Sequence, residues 1–354
     1  MVIEAQRIPA LDAYRATMML LGLVLHSAVF TASYAPVRTK DGEDLLYLTY
    51  DFIHTFRMPA FIFISGFFSA LIFVKYGVGG LIGNRAKRIL LPLFIFWPLV
   101  VIAFQLVFAL STGGSVVPVE QDFVEFYHLW FLAYLLYLNS IAVVLVKLLP
   151  WLFTKPIKFL NYKISQIALY AVATFLLALI PHTLEPDGTL KTASAVAPDN
   201  SMIAFYLIIF LLGWLAFQNQ SIITNFRKYW YLFLIIGSIG YFAHLATSEQ
   251  LDFDYRVVYF GASLNLSFGI LGLMQKLITK PNSVISYFSQ GSYWIYIVHL
   301  PIVFLILTLL DDFDFGMGAR FSLVLTLTTL LSIASYQLLV RHKPIGRFLG
   351  EKAR

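Results

Sequence analysis

The stretch LDAYRATMMLLGLVLHSAVF, Leu11 to Phe30, decides the fold. Without three of its residues it reads as an ordinary membrane-spanning helix, since ~20 apolar residues at 1.5 Å each cover the hydrocarbon core. The three are Asp12 and Arg15 near its start and His26 near its end. A charge in hydrocarbon costs from ~3 to more than 10 kcal/mol, so ionisable groups at such depth face a protein interior and mark function by default. Over the 11 residues from Arg15 to His26 a helix turns about 1100° and rises ~16 Å, ending only ~20° beyond three full turns. Both side chains are expected on one stripe.

The rest of the chain agrees with a membrane reading. Of 354 residues, 59% are hydrophobic and 12% charged, against about 25% charged in a soluble domain; the mean hydropathy is +0.79. Apolar runs of spanning length are predicted at 11–33, 51–74, 89–110, 127–147, 165–182, 202–218, 229–246, 256–274, 284–310 and 319–340. These make an all-α integral membrane protein of about ten transmembrane helices in one bundle. No internal repeat divides it, so residues 1–354 are expected to form a single polytopic domain. The opening residues are mildly polar and the first apolar segment is long enough to span, so no cleavable signal peptide is expected. With no cysteine, disulfides, a thiolate nucleophile, an acyl-cysteine intermediate and Cys-ligated metals are excluded.

The net charge of +6 reads as topology rather than nucleic-acid binding, because the loops alternate in sign. One side carries Arg7, Lys75, Arg85, Lys87 and Arg88, then Lys147, Lys155, Lys158 and Lys163, then Arg227 with Lys228 and Lys276 with Lys280. Arg341, Lys343, Arg347, Lys352 and Arg354 bring that side to 18 of 25 basic residues. The other side carries Asp41, Glu43, Asp44, Glu120, Asp122, Glu125, Glu185, Asp187, Asp199, Glu249, Asp252, Asp254, Asp311, Asp312 and Asp314. By the positive-inside rule both termini are expected to be cytoplasmic, in a multi-pass protein of the inner membrane.

This topology converts sequence position into depth. Arg15 falls in the inner half of the bilayer and His26 in the outer half. Asp51, His54 and Arg57 fall in the outer half of the second span, with Arg57 free to pair with Asp51. His128 and Trp130 open the fourth span near the outer surface. His299 lies near the midplane of the ninth, beside Pro301, where it is placed to bond a carbonyl that the proline frees. Four histidines thus lie between midplane and outer face. Depths differing by ~10 Å and the lack of an H-x-x-x-H pair argue against a metal site.

At the cytosolic end, Arg85 and Arg88 stand three residues apart, a spacing that on an α-helical turn turns both guanidiniums one way, toward a phosphate. With Arg15 at nearly that level, a phosphorylated cytosolic molecule whose tail enters the bundle suits the pattern. An acyl-CoA has this shape, with an arm on the order of 15–20 Å, comparable to the axial distance from Arg15 to His26. A neutral histidine there would act as general base on an acceptor hydroxyl from outside. Ser27 and Ser65, in the same layer, stay open as acyl carriers. A proton-coupled transporter and a structural envelope subunit are the competing classes; the first would usually show inverted repeats, the second would not need charges on the inner stripe.

These residues resemble the membrane-bound acyltransferase family three. Its arginine, ten residues and histidine in the first helix match Arg15 to His26, and its R-x-x-R matches Arg85-Ala-Lys-Arg88. RMPAFIFISGFF, HLWFL and IYIVHLP extend the likeness over nearly the whole chain. Within the family the chain is similar to the branch that succinylates osmoregulated periplasmic glucans, through LDAYRATMMLLGLVLHS and DFIHTFRMPAFIFISGFFS. The resemblance implies transfer of a succinyl group from cytosolic succinyl-CoA to a glucan hydroxyl in the periplasm, with no metal. His26 and Arg15 would be catalytic, Arg15, Arg85 and Arg88 would hold the donor, and His54, Arg57, His128, Trp130 and His299 would line the substrate site. Acetyl-CoA with another surface polysaccharide is the alternative pair.

Overall fold

The structure is a computed structural model in which residues 9–34, 40–111, 125–184, 198–247 and 253–349 are described. Every element among them is helical, so each apolar run satisfies its own backbone hydrogen bonds, as a chain crossing hydrocarbon must. In chain order they are α1 (Pro9–Tyr34), α2 (Lys40–Arg85), a π-helical turn (Ala86–Leu90), α3 (Leu91–Ser111), a 3-10 turn (Tyr127–Leu129), α4 (Trp130–Leu148) and the single turn α5 (Pro150–Phe153). There follow a 3-10 turn (Lys158–Asn161), α6 (Lys163–Leu184), α7 (Asn200–Gln218), α8 (Gln220–Lys228), α9 (Trp230–Ala246) and α10 (Phe253–Leu277). α11 (Ser283–Leu309), α12 (Met317–Ser335), a second π-helical turn (Tyr336–Val340) and α13 (Pro344–Leu349) complete the order.

Eight of the described helical stretches are long and apolar enough to cross a membrane, or nine if α8 and α9, bent by 75°, form one broken span. Each of the ten expected segments is helical to within one residue at its ends. The difference in count comes from Lys40–Ser111, a 72-residue stretch that holds two of them. It turns back on itself at Gly77, whose φ of 68° and ψ of −170° belong to a region open essentially to glycine alone. Ser69 and Arg85 would be ~24 Å apart on a straight helix, yet the Arg85 Nη2 donates to the Ser69 Oγ at 2.6 Å.

α1 forms the core of the bundle, packed against α2, α10, α11 and α12. Tyr14, Met18, Leu23 and Leu25 are buried along it, and the Tyr14 hydroxyl donates to the Ser267 carbonyl of α10 at 2.9 Å. On the outer helices the apolar side chains face outward instead: Phe94, Leu106, Ile167, Ile239, Phe242 and Leu330 are all exposed, as a lipid-facing rim requires.

The basic loops converge as their alternation predicts. The Lys163 Nζ donates to the Tyr229 hydroxyl at 2.8 Å, the Lys228 Nζ stands 5.3 Å from that ring, and the Lys276 Nζ stands 5.2 Å from the Trp230 ring. Three separate basic loops therefore meet at one end of the bundle. Arg7, Lys352, Arg354, Glu120, Asp122, Glu185, Asp187, Glu249, Asp252 and the two chain ends lie outside the described residues.

Candidate active site

α1 and α11 run side by side in the same direction. The Arg15 Nη2 donates to the Ser289 carbonyl at 3.3 Å and to the Ser289 Oγ at 3.2 Å. Three turns further along, the His26 Nδ1 meets the His299 Nε2 at 2.8 Å. Arg15 and His26 thus both face α11, the shared stripe that their 11-residue separation implies.

His299 is fully buried, and its Nδ1 lies 2.7 Å from the Tyr296 carbonyl one turn back on the same helix. Pro301 has no N–H to give to the carbonyl of Ile297. That orphan carbonyl accepts from the His128 Nε2 at 3.0 Å. The sequence places His299 for this task; the structure gives it to His128, because the His299 Nδ1 is taken up by the Tyr296 carbonyl and its Nε2 faces His26. The Tyr296 hydroxyl closes the connection by donating to the His128 carbonyl at 2.5 Å. The remaining ring nitrogen of His128, Nδ1, is buried with no hydrogen-bond partner.

Arg57 reaches this group from α2. A Cβ on Gly22 would lie 3.0 Å from the Arg57 Nη1 and 3.9 Å from the His299 Nε2, so the missing side chain is what lets the guanidinium cross α1 one turn before His26. The Arg57 Nε is buried with no hydrogen-bond partner. The pairing with Asp51 allowed by the sequence does not form: the Arg57 guanidinium lies against Gly22 of α1, and the Asp51 Oδ2 accepts from the Tyr241 hydroxyl at 3.0 Å. Met19, His26, Arg57, Met58, Phe61, His128, Trp130, Phe131 and Tyr296 together line a small cavity. Apolar walls with a few convergent polar groups are the usual make-up of a small-molecule site.

His26, Arg57, His128, Trp130 and His299 are therefore gathered into one site. His54 is half-buried on the same helix as Arg57 and stacks on Tyr50, with ring centroids 5.3 Å apart, but it does not line the cavity. Ser27 and Ser65 are buried and absent from the cavity wall. The expected spread in depth of the histidines is corrected: the His299 ring centroid is 5.0 Å from that of His26 and 5.2 Å from that of His128. Sequence position measures depth only for parallel, untilted helices, and packing brings these three rings to one level. Among the described residues, no group of three or more His, Asp or Glu side chains could hold a metal ion.

The basic residues at the other end divide. The Arg85 Nε donates to the Asn139 Oδ1 at 3.1 Å as well as to Ser69, and the Asn139 Nδ2 donates to the Leu135 carbonyl at 2.7 Å. Arg88 is exposed. The expected pair of guanidiniums on one helical face is corrected, because Arg85 leads into the π-helical turn, whose wider winding breaks the α-helical spacing. Sequence reasoning passed over Ser69, Asn139, Gly22, Ser289 and Tyr296. Asn139, 11 residues after His128 in an apolar run, carried a signal of the same kind as His26.

The sequence signature of an acyltransferase domain matches residues 8–337. The chain is 25% identical over 333 residues to the glucans biosynthesis protein C of Escherichia coli O157:H7 (strain EC4115), covering 85% of this chain and 83% of the relative. The proteins of the same name from E. coli strain K12 and from E. coli O17:K52:H18 (strain UMN026) are 25% and 26% identical over the same shares. No solved structure matches the chain. With an arginine–histidine stripe, a cavity at its histidine end and that signature over nearly its whole length, the chain belongs to this family of acyltransferases.

Proposed function

We propose that the protein moves an acyl group, succinyl in preference to acetyl, from acyl-CoA on the cytosolic side to a hydroxyl of a periplasmic glucan. The observation that carries this reading is the placement of His26 on the wall of a cavity shared with Arg57 and His128, on the helix face that begins at Arg15. The glucan acceptor takes further support from the E. coli relatives, which are glucans biosynthesis proteins.

In the proposed reaction the acceptor oxygen attacks the thioester carbonyl carbon while His26 removes its proton. The carbon–sulfur bond breaks, and His26 passes the proton to the departing thiolate, so the products are the ester and free CoA. Arg15 and Arg88 serve the phosphates of the donor. Arg57 supplies the cation that a succinyl carboxylate needs, since among the described residues no carboxylate occupies its guanidinium. A charged group buried without its partner costs more than an ordinary hydrogen bond returns, which favours a dicarboxylic acyl group over acetyl.

The test uses purified protein with labelled succinyl-CoA or acetyl-CoA and a glucan acceptor. His26→Ala is expected to lose ~10²-fold or more in kcat; full turnover by that variant would sink the catalytic role. Arg57→Met is expected to lose the preference for succinyl over acetyl, and an unchanged donor ratio would remove Arg57 from donor selection.

A further inference from the structure

We propose that His299 is a positioning residue that holds His26 in the one tautomer able to act as a base. The inference rests on the acyl-transfer reading of the cavity. A carbonyl oxygen only accepts, so the 2.7 Å contact with the Tyr296 carbonyl puts the hydrogen of His299 on Nδ1 and leaves its Nε2 as a lone pair. That lone pair faces the His26 Nδ1 at 2.8 Å. With both rings neutral, His26 must carry its hydrogen on Nδ1, and its Nε2 lone pair is bare. The chain of donors thus runs from His26 through His299 to the Tyr296 backbone, and each ring fixes the next.

The tautomer decides the chemistry. A His26 with its hydrogen on Nε2 would offer the acceptor hydroxyl a donor where a base is needed. When the His26 Nε2 takes the hydroxyl proton, the new ester bond forms from the acceptor oxygen to the acyl carbon and the carbon–sulfur bond breaks. The imidazolium then still donates from Nδ1 to the neutral His299, and its Nε2 proton goes to the thiolate sulfur. His299 ends as it began. It is fully buried and absent from the cavity wall, so it acts only through His26. A histidine here takes the orienting place that a carboxylate holds in a serine–histidine–aspartate triad, and it does so without an extra charge in the bundle.

A merely structural role would consist of satisfying the Tyr296 carbonyl, and two substitutions separate the roles. An asparagine places its amide near the position of Nδ1, keeping the bond to Tyr296 but not reaching His26. A glutamine places its carbonyl oxygen near the position of Nε2, keeping an acceptor for the His26 Nδ1. Full-length wild type, His26→Ala, His299→Gln and His299→Asn are compared in detergent with succinyl-CoA and a glucan, kcat being referred to the monodisperse fraction on gel filtration. His299→Gln is expected to exceed His299→Asn in kcat by ~10-fold or more, with KM for the donor within ~2-fold of wild type in both. Equal kcat in the two variants, or a faster His299→Asn, overturns the proposal. If His26→Ala is inactive while the two His299 variants are equal, only the pairing fails; if His26→Ala turns over like wild type, the acyl-transfer reading of the site fails with it.

Discussion

Gly22 controls what His26 has beside it. It is buried in the middle of α1, and the space of its missing side chain is filled by the tip of Arg57. Gly22→Leu is therefore expected to displace the guanidinium, the far end of a flexible side chain, more than the backbone. The measured consequence is a larger loss of succinyl transfer than of acetyl transfer. Overpacking a buried position costs about 1–3 kcal/mol, so a thermal melt should record a moderate destabilisation beside that selective loss; equal loss with both donors would show that Arg57 does not read the acyl group. Arg15 and His26 were legible as a pair because a helix repeats its faces in a known number of residues. Gly22 was not, since a small residue in an apolar span has many ordinary reasons to be there until its neighbour on another helix is seen.

Pro301 does for α11 what Gly22 does for α1. By withholding an N–H it leaves the Ile297 carbonyl to His128, so a break in one helix's ladder fixes a side chain from the entry of α4. Pro301→Ala would restore the missing donor. The helix is expected to hold or gain thermal stability while acyl transfer falls, as His128 is set free from its one ring hydrogen bond. A joint loss of both would mean that the proline ring itself, rather than His128, is what α11 contributes. Gly77 sits at the same scale. Its conformation turns Lys40–Arg85 back so that Arg85 meets Ser69, and the length of the apolar runs alone announced two spans without showing how they are joined.

Across the whole molecule, two ends of different character are linked by the face between α1 and α11. At the basic end the arginines of the R-x-x-R motif are expected to separate by experiment. Arg85→Ala leaves Asn139 and Ser69 without their charged partner and should cost about 1–3 kcal/mol of stability. Arg88→Ala, at an exposed position, should leave the melt unchanged and weaken acyl-CoA binding more than glucan binding. Equal weakening of both ligands by Arg88→Ala would reduce it to a topology charge. Loop charge was readable over the whole chain because it acts through the membrane, whose field is the same for every span. The convergence of Lys163, Lys228 and Lys276 on Tyr229 and Trp230 follows that pattern in space.

Sequence by itself determined the helical class, the apolar segments and the common stripe of Arg15 and His26, because hydrophobic length and the helical repeat are local properties. It also pointed to the family, since the motifs lie within single segments. Only the tertiary structure decided that His26 bonds His299 and not a carboxylate, that His128 takes the carbonyl freed by Pro301, that Arg57 is not paired with Asp51, and that Arg85 and Arg88 part company. Each of these is a choice among partners on other helices or on the far side of a turn. Such choices depend on tilt, close approach and the exact winding of a turn, to which no spacing along the chain corresponds.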